Sequence, residues 1–460
     1  MDALPEDAVR SRSWGVRHGV LAWLCLAAVI AYVTRNCIGV LESTIREDVG
    51  LTKEQMGWVM GSFFITYAFF QIPCGWLADR WGARRALSLE VVLWSVAAAM
   101  IAWPEAGGRV VQELLSLAGM EVVAASEGSG LNVGIFWWLM FARLLAGAAQ
   151  AGIFPCSAII IARWIPSSAR GMATGFIAAG QQIGAMIAVF LPAYLLQLAD
   201  WPSLFWYFAL PGFLWAAFFV GWFRDHPHEH PKVTAEELAV IAADTLPEIA
   251  TDPEVKERTP WLAILGNPGL WWICGQQFFR GAGYIFYGTW FPTFLQEQHQ
   301  VTVQKSGMLT GLSLGTALTG CLLGGTISDW VLARTGSRRM ARQGMAMFSL
   351  LACAGLIFSS HFVADGTTAV VVISAGAFCA SLAGPAGYSV TIDMGGRHVA
   401  TVFAIMNMAG NIGAALFPMV VPHLLELPGG WNVVLIVFGG LYFAAAVCWM
   451  MLGKGLNSSH

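Results

Sequence analysis

The feature that most constrains this chain is a run of apolar blocks, seen at 21–33, 58–70, 177–198 and 433–452, set within windows of about 20 residues. As a helix rising 1.5 Å per residue, such a window crosses the roughly 30 Å hydrocarbon core of a bilayer; a barrel strand would alternate in polarity and be half as long. Charged residues make up only 12% of the chain, against about a quarter in soluble proteins, which excludes a large soluble enzyme. The blocks predict twelve membrane-spanning helices, at 16–40, 55–78, 84–103, 133–160, 170–197, 203–222, 268–295, 306–328, 341–361, 367–390, 398–422 and 431–453.

Of the 25 Lys and Arg, four (Arg46, Lys53, Arg109, Lys305) fall in one set of alternate loops and three inside spans; the other eighteen occupy the opposite loops and the tails. The positive-inside rule makes that opposite set cytoplasmic, so both termini of a multi-pass protein of the cytoplasmic (inner) membrane are expected in the cytoplasm. A net charge of −3 offers no patch for nucleic acid. Nine cysteines, almost all within spans and irregularly spaced, read as packed thiols. Neither a metal nor a cofactor is expected, and the chain is expected to act as a monomer.

The longest polar stretch, 224–260, divides the spans six and six and carries one short helix capped by Thr234. The layout is a tail (1–15), a six-helix bundle (16–222), a linker (223–266), a second bundle (267–453) and a tail (454–460). In the outer loop 104–132, the apolar segment 110–123 reads as a helix lying on the membrane surface. The halves repeat: "GWLADRWGARR" follows the second span and "GGTISDWVLARTGSRR" the eighth, while "RGMATGF" at Arg170 is echoed by "RHVATVF" at Arg397. Internal repeats of this kind build transporters whose substrate site lies between the halves near mid-membrane.

Arg35, Arg143 and Arg280 sit inside spans, each at a cost of about 2.5–3.5 kcal/mol on insertion scales unless a partner, water or ligand compensates. Glu90, near the end of the third span, is the one acid clearly inside a span, so the membrane interior carries excess positive charge. Arginines facing a cavity imply an anionic ligand, and the planar guanidinium suits a carboxylate. Any one of them could instead snorkel to lipid head groups or bind carbonyls. Gln277, Arg280, Tyr284 and Tyr287 share one helical face; so do Tyr32 with Arg35, Tyr67 with Gln71, Arg143 with Gln150, and Asn407 with Asn411, while Gln181 lies mid-span. Such stripes can line a cavity or glue helices together. In the loop motif, Gly75 permits the turn, Asp79 can cap a helix, and Arg84 and Arg85 can engage acids or helix ends across the gap, as Asp329 and Arg338 can in the echo; fixing topology is the alternative task.

"GWLADRWGARR" resembles the loop signature of the major facilitator superfamily, and its echo fits that family's two six-helix halves. The segments at 141–175, 223–241, 289–295 and 392–418 are similar to its anion:cation symporter branch, which includes bacterial galactonate, glucarate and hexuronate permeases. The resemblance implies an all-α fold of two pseudo-symmetric bundles, with Arg35 holding a substrate carboxylate, Tyr32, Tyr67, Gln181 and Asn407 in the pocket, and Arg143 tied to coupling. Two positions depart from it: Thr34 and Gln150 stand where proton-coupled members have Asp and Glu, and Arg280 is an addition suited to a second anionic group. The expected activity is alternating-access transport of a small organic anion, most simply a sugar acid, with H⁺ or Na⁺ as the coupling ion the resemblance implies and proton coupling weakened. Exchange or facilitated diffusion of another carboxylate is the alternative. A non-transporting anion sensor would lack an output domain, and an intramembrane enzyme would lack an acid-partnered nucleophile.

Overall fold

A computed structural model describes residues 15–118, 129–166, 169–243, 261–337, 339–363, 366–395 and 399–455. Among these residues every regular element is helical. The N-terminal half comprises α1 (Val16–Val40), α2 (Glu42–Val49), α3 (Lys53–Trp81), α4 (Ala83–Ile101), α5 (Pro104–Leu117), α6 (Ser129–Gln150), α7 (Ile153–Trp164), α8 (Arg170–Leu195) and α9 (Trp201–Trp222). The linker contributes α10 (Ala235–Ala243). The C-terminal half comprises α11 (Trp261–Leu265), α12 (Pro268–Gly288), α13 (Phe291–His299), α14 (Val303–Thr335), α15 (Met345–Ser360), α16 (Gly366–Leu382), α17 (Gly384–Gly395), α18 (Val399–Leu425) and α19 (Trp431–Gly455).

Twelve crossings result, six in each half, with α6 and α7 together forming the fourth and α16 and α17 the tenth. Among the described residues nine helices are long and apolar enough to cross a membrane, and a tenth if α4 and α5, bent by 94°, are counted together. Helices α3 and α12 fall short of that measure, and they carry Gln71 and the Gln276, Gln277, Arg280 group. Polar residues that line a cavity lower a helix's mean hydropathy without taking it out of the membrane. The 94° bend turns α5 across the end of α4, and α5 covers the expected helical segment 110–123 as far as Leu117; its residues 119–123 lie outside the described residues.

The repeat is built into helix ends and crossings. The second and eighth spans both start at a threonine cap, Thr52 accepting from Gln55 N–H and Thr302 from Lys305 N–H, and both end on a glycine at positive φ, Gly82 (86°) and Gly336 (65°). Apolar lipid gives helices little hydrophobic reason to associate, so close backbone approach at small residues does the packing. Gly180 and Gly184 of α8 lie on the carbonyls of Cys25 and Val29 in α1; in the other half Gly281 of α12 lies on Gly410 and Gly413 of α18 on Phe278. The halves meet along two equivalent seams, with Gly57 and Gly61 of α3 against Pro418 and Ala415 of α18, and Gly307 of α14 against Val189 of α8. In the linker, Thr234 caps α10 as expected, and Glu237 reaches the start of α1, accepting from the backbone N–H of Val16 (3.1 Å) and Arg17 (2.9 Å).

Candidate functional site

Between the seams lies a cavity of about 280 Å³ whose walls come from both halves: α1 gives Tyr32, Arg35 and Asn36; α8 gives Gln181 and Gln182; α12 gives Gln277, Arg280 and Tyr284; α14 gives Cys321; α16 gives Ser381; α18 gives Asn407 and Asn411. Among the described residues two arginines and no carboxylate line it. A larger depression of about 600 Å³ beside α5, within the N-terminal half, carries Glu47, Asp48 and Glu105 against the single cation Arg109, which pairs with Glu105, so its net charge is unfavourable to an anion.

Arg35 is 6% exposed. Its guanidinium lies over the rings of Tyr32 (4.4 Å), Tyr67 (4.5 Å) and Phe63 (4.8 Å), and its Nε donates to Gln150 Oε1 at 3.1 Å. Gln150 Nε2 donates in turn to Thr34 Oγ1 at 3.1 Å, which donates to the carbonyls of Ile30 and Ala31. The arginine is thus fixed in orientation by neutral groups; its Nη2 is buried without a hydrogen-bond partner, and the residue forms part of the cavity wall. Nε2 of Gln181, also buried on the cavity wall, has none either. A buried charged donor left unpaired costs on the order of 1–3 kcal/mol or more, which an anion arriving in the cavity recovers.

The opposite wall is built more simply. Arg280 donates through Nε (3.3 Å) and Nη2 (3.1 Å) to the side-chain oxygen of Gln277, one turn back on the same helix. Tyr284 donates to Gln182 Oε1 at 3.0 Å, joining α12 to α8, and Asn407 donates to Gln71 Oε1 at 3.1 Å, joining α18 to α3. Asn411 is held by the Asn407 carbonyl.

The face drawn along α12 from sequence divides by depth. Tyr287 lies outside the cavity: it is 1% exposed, packs on Phe291 and Phe438, and donates to the Ile373 carbonyl of α16. Its helical phase is right, but two turns beyond Arg280 that face is covered by α16. Tyr67 likewise stands behind Arg35 rather than on the cavity wall. Arg143, 2% exposed, donates to the carbonyls of Arg35 (3.2 Å) and Val59 (3.4 Å) and shares the Phe63 ring with Arg35, so it braces α1 against α3. Asn36, Gln182, Cys321 and Ser381 complete the lining; Asn36 stands one turn from Tyr32 and could have been read from that spacing, whereas Cys321 and Ser381 carry no sequence signal.

On the face opposite the chain ends the halves are bolted together. Thr293 of α13 donates to Glu42 Oε2 (2.8 Å), Ser43 donates to Gln296 (2.6 Å), and Glu297 takes Lys53 (2.7 Å), Arg46 (3.5 Å) and the Trp431 indole N–H (3.0 Å). Glu42 is fully buried; desolvation pushes its carboxyl above the ordinary range, against the pull of Arg46 at 2.8 Å. Sequence reading placed this stretch in a loop and could not pair residues some 250 positions apart.

Toward the chain ends, Arg84 corrects the expected bridge across the gap. Its Nε donates to the Val220 carbonyl (2.8 Å), and its backbone N–H donates to Asp225 (3.0 Å), all within the N-terminal half. Val220 is among the last carbonyls of α9, which have no intrahelical partner and draw a cation. Arg85 is exposed, and Gly75 packs near Pro155 of α7. The side chains of Asp79 and Asp329, and the whole of Arg338, lie outside the described residues.

Residues 24–340 match the family model of the Major Facilitator Superfamily. The chain is 27% identical to a probable sulfoacetate transporter of Cupriavidus necator over 96% of its own length and 95% of the relative's. It is 26% identical to a probable galactarate/D-glucarate transporter of Bacillus subtilis (95% and 92% covered) and 25% identical to a probable L-galactonate transporter of Escherichia coli (98% and 92%). Among solved structures, a bacterial homolog of the human lysosomal transporter Spinster, inward-facing and occupied, superposes with a TM-score of 0.71 at 20% identity (96% and 98% covered). A D-xylose–proton symporter superposes at 0.67 with 15% identity (95% and 97%). With its twelve helices in two repeated halves around a central cavity, the chain belongs to the Major Facilitator Superfamily.

Proposed function

We propose that this protein is an alternating-access carrier of a small organic anion, a sugar acid or a related dianion, in the cytoplasmic membrane, with both chain ends in the cytoplasm. The observation that carries the reading is the buried, unpaired Nη2 of Arg35 in the wall of a cavity that, among the described residues, is lined by a second arginine and no acid. Arg35 takes a carboxylate, Gln181 and the asparagines of α18 take hydroxyls or carbonyls, and Arg280 takes a second anionic group from the other half. A substrate touching both halves stabilises the arrangement in which they approach, which is how binding drives the exchange of access. Relatives named for sulfoacetate and for galactarate/D-glucarate support a substrate with two acid groups. The bolted outer face supports a state open toward the chain ends.

The test is uptake into proteoliposomes of a panel of aldarates, aldonates, uronates and sulfoacetate, with thermal stabilisation of the purified protein as the binding readout. At least one member is taken up and stabilises the wild type, and Arg35→Ala loses both effects while remaining folded. Undiminished uptake by Arg35→Ala refutes the site.

A further inference from the structure

The N-terminal half contains a second buried polar centre behind the cavity. Glu90, two turns into α4, is 2% exposed; its Oε2 accepts from the Cys156 thiol at 3.6 Å, and its Oε1 has no partner. The titratable groups facing it are Cys74 of α3, whose thiol also reaches the Ala148 carbonyl, and Cys156 of α7. Among the described residues no cation is paired with it: Arg143 of α6 turns to the carbonyls of Arg35 and Val59, Arg35 of α1 lies in the cavity wall, Arg84 on its own helix is drawn to α9, Arg85 is exposed, Arg80 of α3 lies over Trp76, Arg163 of α7 approaches Asp225, and the one ionisable side chain of α9, Tyr207, is exposed. A carboxyl in such surroundings holds a proton and ionises when water reaches it.

Position gives that proton a use. The carboxyl packs directly on Gly152, in the break between α6 and α7, where any Cβ would collide with it. Two residues earlier, Gln150 ends α6 and holds Arg35 Nε. We propose that Glu90 is the proton-binding carboxyl of the transport cycle, acting on the Arg35 seat through the break at Ala151 and Gly152. The proposal rests on the carrier reading above. The carboxyl takes a proton from water on one side and returns it to water on the other, one per cycle. Ionisation pushes the break away from the hydrophobic contact and with it Gln150, so the seat of the anion and the charge of Glu90 change together. The neutral Thr34 and Gln150 at the cavity are then no obstacle to coupling, because the titrating group stands one layer behind.

The experiment uses the full chain in proteoliposomes, with D-glucarate and sulfoacetate as probes. A one-unit acid-outside gradient, worth about tenfold accumulation per proton, drives uptake by the wild type. Glu90→Gln loses that accumulation and keeps counterflow exchange, which also shows that it folds. Accumulation retained by Glu90→Gln, or absent from a wild type that exchanges the probes, overturns the proposal. Difference infrared spectra of the purified protein need no substrate. In a Glu42→Gln background, which removes the buried carboxyl of the outer face, they contain a protonated-carboxyl C=O band that titrates with pH, survives a further Glu90→Asp and vanishes with a further Glu90→Gln; absence of that band from the Glu42→Gln protein overturns the assignment. If neither probe is exchanged, the anion reading fails and the infrared band alone decides Glu90.

Discussion

Arg35 and Arg280 face one cavity from opposite halves, yet the first is caged by three rings and a glutamine from another helix, whereas the second leans on Gln277 of its own helix. A guanidinium fixed by aromatic faces and a distant hydrogen bond presents one donor in one direction; a guanidinium held at i,i+3 can swing with its side chain. The difference teaches a division of labour. On the proposed reading, the N-terminal half defines where an acid group must sit, and the C-terminal half adapts to what else the anion carries.

The largest effect belongs to the caged arginine. Arg35→Ala removes a desolvated charge–charge contact worth about 2–5 kcal/mol, so kcat/KM for any carried anion falls by roughly 30-fold to several thousandfold. Arg35→Lys restores the charge without the fork or the ring contacts and recovers little of it. Equal transport by the lysine variant would show that charge alone suffices.

Next comes the adaptable arginine. Arg280→Gln weakens transport of a dianion by about tenfold to 150-fold, in line with loss of a charge-assisted hydrogen bond of about 1.5–3 kcal/mol, while a monoanion is affected less. A similar loss for both substrate classes would erase the proposed division.

The cage itself can be opened from behind. Gln150→Ala removes one neutral-to-charged hydrogen bond and raises KM by about fivefold to tenfold, with kcat less changed. Gln150→Glu places a carboxylate on Arg35 Nε; it competes with substrate when ionised, so affinity improves as pH falls, and this added dependence persists when Glu90→Gln is combined with it.

The smallest effects fall on the outer face, where the halves meet through partly exposed charges. Glu297→Gln loses pairs of about 0–1 kcal/mol and speeds labelling of an outer-face cysteine probe a few-fold at most. Glu42 adds a pH dependence. Its carboxyl binds protons more tightly when buried in the closed face than when solvated, so closure gains stability as pH falls from its raised value toward the ordinary one near 4.5, and loses it as pH rises. Labelling of the outer probe therefore slows in acid, and Glu42→Gln removes the slope.

Much of this was legible in the sequence. The windows near 20 residues placed the helices, and the repeated Gly-x-Arg-Arg turns at Gly82 and Gly336 announced two equivalent halves. Charge scarcity picked out Arg35 and Arg280 because a lone arginine in lipid needs a reason. Periodicity went astray at Tyr287, since it fixes a residue's angle around a helix and says nothing of which neighbour covers that depth. It was silent on Glu42, Thr293 and Glu297, whose pairing depends on how the halves dock. Arg84 was read as spanning a gap because its two candidate partners, a helix end and an opposing acid, look the same along the chain.

Glu297 gathers Lys53 and Arg46 where both ions keep partial access to water, at side-chain exposures of 30%, 32% and 17%. Ions of the medium screen such a cluster over a Debye length of about 8–10 Å, whereas the guanidinium of Arg35 is buried against three rings. On the proposed orientation and site, external salt thus acts as a kinetic dial: it alters how long the outer door stays shut more than it alters the strength of the grip on the anion.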